Sequence, residues 1–133
     1  MHPPGGLAGT ATWLRAVVAV VTGAHGLVHL MGVALAWRLA EPGELTYADL
    51  SVEPGSAAGL ALGGVWLAAC LGLAGAAVLL LLGRDAWWWT AAGGVGLSLV
   101  VTLLEVRTAP VGLAVSLLLA VLLLVDRLRW RRA

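Results

Sequence analysis

Four long apolar runs, separated by short polar breaks, occupy most of the chain. They fall at about 16–37, 57–82, 86–104 and 110–125. A helix that crosses the hydrocarbon core of a bilayer needs about 20 mainly apolar residues, each adding about 1.5 Å. All four runs approach or exceed that length, and the fourth is the shortest. The first contains no Arg, Asp or Glu. The breaks are equally plain. Positions 38–56 hold Glu41, Pro42, Gly43, Glu44, Asp49, Glu53 and Pro54; Arg84 and Asp85 separate runs two and three; Glu105, Arg107 and Pro110 separate runs three and four. The pattern predicts an all-α fold, a transmembrane antiparallel four-helix bundle forming a single domain over 1–133.

Composition reinforces this reading. Of the 133 residues, 61% are hydrophobic and 11% charged, and mean hydropathy is +0.98. Soluble domains are about 45–50% apolar and about 25% charged, so a water-soluble chain of this kind could not cover its own surface. The net charge of +1 carries no nucleic-acid footprint. The lone Cys70 can form neither an internal disulfide nor a paired-cysteine site. Arg15 ahead of the first run, and Ala34-Leu35-Ala36 near its end, have the outline of a cleavable signal. The run is nevertheless about 22 residues long, against about 7–15 for a signal core, and is expected to remain as a span.

Arginine placement orients the bundle, because cytoplasmic flanks are enriched in Arg and Lys. With both termini inside, Arg15, Arg84, Arg127, Arg129, Arg131 and Arg132 are cytoplasmic, and only Arg38 and Arg107 lie outside. Trp13, Trp87, Trp88, Trp89 and Trp130 then fall at the inner boundary and Trp37 at the outer one, as the preference of tryptophan for interfaces requires. Trp66 lies deeper. The expected layout is a multi-pass protein of the cell (inner) membrane, with an extracytoplasmic acidic loop at 38–56 and a cytoplasmic Arg-rich tail at 126–133. Around Leu45 to Val52 the loop has the makings of a short interfacial segment. The triple tryptophan reads as an interfacial anchor and the arginine tail as a topology determinant in contact with anionic headgroups.

Helices in lipid associate through small residues that let backbones approach. Spacings of four put such residues on common faces: Thr22 and Gly26; Gly55, Gly59 and Gly63; Gly64, Ala68, Gly72 and Ala76; Gly94, Ser98 and Thr102; Gly112, Ser116 and Ala120.

Polar side chains within the spans are few, and such groups usually face the bundle interior. His25 and His29 stand at i and i+4 and therefore project from one face. Counted from Ala16, His25 lies near mid-membrane and His29 slightly outward. Ser98, Thr102 and Glu105 form a stripe on span three, and Ser116 and Thr90 complete the set. If spans one and three are neighbours, a His-His-Ser-Thr-Glu cluster opens toward the outside. Two such histidines can ligate a metal, bind haem axially, hold a quinone, or relay protons with Glu105. They can equally hydrogen-bond to Ser98, Thr102 or a backbone carbonyl with no further role. Residues 26–28 are Gly-Leu-Val, so the zinc-protease arrangement is absent. A closed tetrahedral metal site would also need Glu105 or Asp49.

The segment from His25 to Gly32, the Gly63-to-Trp66 segment, the Trp88-Trp89 pair with Ser98 beyond it, and Pro110-Val111-Gly112 together resemble small bacterial four-helix membrane proteins of unknown function, a group loosely similar to the DoxX-like membrane proteins. The resemblance implies a four-helix bundle and, through the DoxX-like group, an association with redox stress. It supplies no catalytic residue.

Three functional classes follow. A small accessory or structural membrane protein, as a homo-oligomer or a subunit of a larger complex, suits a chain with so few interior polar groups and has the lipid bilayer as its first partner. A redox or cofactor-binding protein would use His25 and His29 toward haem, a metal or a quinone. A small-solute transporter would need an acid inside the membrane, and the first span has none. The chain contains no nucleotide loop, no Ser/His/Asp set and no paired interior carboxylates, so it gives no reason to expect an enzyme.

Overall fold

The computed structural model describes residues 12–132, with backbone alone at 130–132. The expected roles of the Trp130, Arg131 and Arg132 side chains and of Ala133 thus lie outside the described residues. Four helices follow in order: α1 (Thr12–Ala36), α2 (Ala57–Leu81), α3 (Trp87–Leu104) and α4 (Pro110–Arg132), with a single 3-10 turn at Tyr47–Asp49 in the first loop and no strand among the described residues. All four are long and apolar enough to cross a membrane.

Local chemistry sets the helix ends. α1 stops where Arg38 takes φ 55, and the Leu39 amide donates back to the Ala34 carbonyl at 2.8 Å. That is the six-to-one bond of a left-handed helix cap, with arginine in the place usually given to glycine. The Arg38 guanidinium then lies 5.5 Å from the Tyr47 ring centre. α2 starts at Ser56, whose hydroxyl accepts from the Gly59 amide at 3.1 Å. It ends at Gly83 (φ 66), with the Arg84 amide donating to the Leu79 carbonyl at 2.9 Å. Arg15 reaches across from α1 and donates to the carbonyls of Leu80 and Leu81 at 2.9 and 3.2 Å. It places positive charge on the negative end of the α2 dipole. Pro110 opens α4, at the helix position where a missing amide hydrogen is harmless.

α4 departs from the expected end near 125 and runs on to Arg132, which leaves α3 as the shortest helix. Beyond Pro110 the sequence has no helix breaker, and its terminal Leu and Arg are good helix formers. Arg129 also complements the helix dipole at that end.

α2 packs extensively against both α1 and α3. α4 packs on α3, and α1 and α4 meet only along a slender seam. The small-residue stripes are used unevenly. A Cβ on Gly94 would stand 2.8 Å from the Leu73 amide nitrogen and 2.9 Å from the Gly72 carbonyl carbon, so α2 and α3 cross backbone to backbone at Gly72 and Gly94. Gly26 meets α2 as closely, 2.9 Å from the Leu73 Cβ. Gly32 is covered by the Trp66 indole and Gly63 by that of Trp37, a reciprocal exchange between α1 and α2. Gly64, on the same expected stripe as Gly72, faces open space.

Two apolar clusters result. One joins Val18, Leu73, Leu80, Trp87, Val95, Leu119 and Leu123 among others; the other joins Val33, Leu62, Trp66 and Val101. Trp87 is thereby a core residue rather than an interfacial anchor. Trp88 donates its indole hydrogen to the Leu123 carbonyl at 3.2 Å, and Trp89 is exposed. Arg127 lies 5.2 and 5.4 Å from the ring centres of Trp88 and Trp89. The outer surface carries exposed Leu and Val on every helix. In water such a surface would aggregate; in a bilayer it is the lipid-facing surface.

Gly94→Val should overpack the α2/α3 crossing and lower stability by about 1–3 kcal/mol. Gly93→Val carries the same change in helix propensity but faces open space, and it should stay within about 0.5 kcal/mol of the parent. Reversible unfolding in mixed micelles compares the two directly.

Candidate functional site

The polar residues of three helices meet between the two apolar clusters. His29 Nε2 lies 2.7 Å from the Ser98 hydroxyl, and His25 Nε2 lies 3.0 Å from that of Ser116 and 3.3 Å from that of Ser98. The two hydroxyls are 2.6 Å apart, and Ser116 also donates to the Gly112 carbonyl at 2.8 Å. All four side chains are buried. The imidazole rings stand edge to face with centres 4.7 Å apart.

Counting protons assigns the donors. Four close contacts must be filled: His29–Ser98, Ser98–Ser116, His25–Ser116 and Ser116–Gly112. A carbonyl cannot donate, so Ser116 gives its single proton to Gly112. Ser98 must then donate to Ser116, and both imidazoles must donate from Nε2. Both hydroxyl protons, both lone pairs of Ser116 and one of Ser98 are used in this arrangement. Among the described residues no acidic side chain joins the network or lines the space beside it, so a second ring proton would be an uncompensated charge in hydrocarbon. The rings are neutral; the count sets their protons on Nε2, and the His25 carbonyl, one turn back and within reach of the His29 ring, competes for that of His29. Moving either ring's proton to Nδ1 sacrifices only the Ser116–Gly112 bond, about 0.5–1.5 kcal/mol; moving both also breaks the Ser98–Ser116 link.

A cavity of about 680 Å³ lies beside the pair, within the range of about 300–1,000 Å³ typical of small-molecule sites. His25, His29, Gly32 and Leu35 of α1 line it, as do Trp66 of α2, Thr102 of α3, and Gly112 and Val115 of α4. Val21, Val28 and Val111 belong both to its wall and to the exposed surface. The cavity therefore opens sideways through the α1/α4 seam, toward lipid. Leu45 and Leu50 of the first loop close its other end. Trp66 Nε1 and His29 Nδ1 belong to residues of this wall but are themselves sealed from the cavity; Trp66 Nε1 has no hydrogen-bond partner among the described residues, and the His29 ring also interacts with the His25 backbone carbonyl one turn back. The two rings contact edge to face at 5.0 Å.

The sequence-derived cluster is thus rearranged. His25, His29, Ser98 and Ser116 come together. Thr102 lines the cavity but turns its hydroxyl back to the Ser98 carbonyl at 2.6 Å. Glu105 stands apart from the pair. It is buried at the end of α3, where both carboxylate oxygens accept from the Ser51 amide (3.3 and 3.1 Å) and one also from the Ser51 hydroxyl. With the bond from Thr108 to the Asp49 carbonyl at 2.5 Å, Glu105 ties down the loop that roofs the cavity. Thr90 bonds only to its own helix. Sequence reasoning missed Trp66 as a site residue. The available signal was a tryptophan placed mid-span instead of at a boundary.

Among the described residues no group of three His, Cys, Asp or Glu side chains converges on a possible metal position. Comparison with protein-family models, curated proteins and solved structures found no match. The likeness to DoxX-like proteins therefore rests on the quoted residues alone.

Ser98→Ala should remove the hydroxyl that both histidines share and leave the His29 Nε2–H unpaired, for a loss of about 1–3 kcal/mol in mixed-micelle unfolding. An unchanged unfolding curve would show that the network contributes nothing to the bundle.

Proposed function

We propose that the protein is a binding protein of a bacterial inner membrane that takes a small lipid-soluble molecule of the quinone class from the bilayer into the cleft between α1 and α4. The observation that carries this reading is the cleft itself: apolar, laterally open, and lined on its inner side by His25, His29 and Trp66. Haem and metal fit less well. Both Nε2 atoms are committed to serine hydroxyls, and among the described residues no third His, Cys, Asp or Glu groups with the two histidines. A quinone ring needs only an apolar slot and hydrogen-bonding groups at one end. The DoxX-like resemblance, with its redox association, points the same way. The transporter reading draws no support from Glu105, which is engaged with Ser51 at a loop.

An accessory role keeps one specific observation in its favour. α4 is the least buried helix, and Leu117, Leu118, Val121 and Leu124 leave an apolar face for lipid or for another membrane subunit.

Decylubiquinone should bind the protein in lipid nanodiscs, measured by calorimetry against empty nanodiscs. Ala24→Phe places a ring at the cleft mouth from an exposed position and should weaken binding at least about tenfold, about 1.4 kcal/mol, with no change in unfolding. Equal binding by the two proteins would remove the cleft as the site. For the proposed topology, with both termini cytoplasmic, Glu44→Cys should react with an impermeant maleimide on intact cells, and Ala86→Cys only after lysis. The native Cys70 is buried.

A further inference from the structure

We propose that the first loop is a gate: Glu105 latches it shut over the cleft, Leu50 is its plug, and its release joins the cleft to the aqueous surface above. The proposal rests on the binding reading above and adds a second opening, toward water, to the one toward lipid. The observation is a clasp between two connections. Ser51 donates its amide to both oxygens of the buried Glu105 carboxylate, at 3.3 and 3.1 Å, and its hydroxyl to one of them. Two residues back along the loop, the Asp49 carbonyl accepts from the Thr108 hydroxyl at 2.5 Å. Leu50 stands between these two tethers and lines the cleft. Holding residues 49 and 51 thus holds the plug. Glu105 is not itself part of the cleft wall; it acts through Leu50 and is a positioning residue.

The clasp is the wall of the cleft that opens most easily. The other walls are helices packed through apolar side chains and, at Gly72 and Gly94, through their backbones. Their polar contacts lie in hydrocarbon, where water cannot replace a broken bond. The clasp instead lies at the end of α3, and Ser51 is exposed. When it opens, water solvates the carboxylate, the amide and the hydroxyl, so each bond is exchanged rather than lost. An apolar residue at position 105 would seal the roof without burying a carboxylate, which is costly. A polar latch makes the closure reversible. The loop is also built to swing from one side. Gly43 (φ 65) and Gly55 (φ 78) bracket it, both in the left-handed region that glycine adopts without strain. Between them, Asp49 bonds to the amide and hydroxyl of Thr46. On the α1 side the Tyr47 amide donates to Glu41 and its ring lies under Arg38. Release of Glu105 and Thr108 therefore frees the α3–α4 side alone.

The test measures the access of water to the cleft and needs no ligand. Val115→Cys places a thiol on the cleft wall in a Cys70→Ala background, and its labelling by an impermeant sulfonated maleimide is timed in nanodiscs. Adding Glu105→Ala should speed labelling about tenfold or more, the scale of a lost hydrogen bond to a charged group. Glu105→Gln keeps an acceptor oxygen for Ser51 and should fall between the two. Leu50→Ala should speed labelling as Glu105→Ala does, with the latch intact. In wild-type protein the Ser51 amide should exchange its hydrogen through local opening, at a rate that Gly94→Val leaves unchanged. Equal labelling with and without Glu105→Ala and Leu50→Ala would overturn the gate. So would a Ser51 amide whose exchange accelerates with Gly94→Val, since the loop would then open only when the bundle unfolds. Neither result touches the cleft reading, which stands or falls on the binding of decylubiquinone.

Discussion

Two imidazoles on α1, bonded to one serine on α3 and one on α4, are the constraint on which the rest of this bundle depends. In hydrocarbon an unpaired polar group is costly and water is not available to replace its partner. His25 and His29 must therefore find their hydrogen bonds inside the protein. They find them on helices that α1 otherwise barely touches, since α2 lies between α1 and α3. The network closes with every hydroxyl proton used and no charge left over. It fixes the level at which three helices meet. The cleft begins where that polar layer ends.

The glycines complement this directional contact with a positional one. Gly72 and Gly94 let α2 and α3 touch through their backbones, and Gly26 seats α1 on α2. Close approach on those faces draws α1, α2 and α3 together and leaves α4 hinged on α3. The slender α1/α4 seam follows from this asymmetry. Around it the loop is held as a roof by the bond between Glu105 and Ser51, so the cavity is closed toward the aqueous end and open toward lipid. Fold and site thus share one cause: tight packing on one side of α1 and looser packing on the other.

The four helices were legible in the sequence because a bilayer imposes a simple length and polarity rule. The histidine pair was legible because a spacing of four places two polar groups on one face, and Ser98 and Ser116 because interior hydroxyls are rare in such spans. Other features were not. Glu105 falls on the same stripe as Ser98, yet it lies where α3 ends and turns to the Ser51 backbone amide and hydroxyl instead. Gly64 and Gly72 share a stripe, but only Gly72 has another helix backbone against it, because the α2/α3 crossing lies at that end. Trp87 looked like its two neighbours in the triple tryptophan, but helix rotation sends it to the core and Trp89 to the surface. The cleft was invisible for a related reason. It depends on how far α1 stands from α4, which the close glycine contacts among α1, α2 and α3 decide and no local pattern records.

Ring protonation is where the account can be tested most directly. Solid-state nitrogen-15 spectra of histidine-labelled protein in lipid, with His2→Asn removing the remaining histidine, distinguish the two neutral tautomers from each other and from imidazolium. The account predicts that His25 and His29 are both neutral, each coupled through Nε2 to a serine hydroxyl. A doubly protonated ring, or a ring whose Nε2 shows no coupling to a serine hydroxyl, would contradict it.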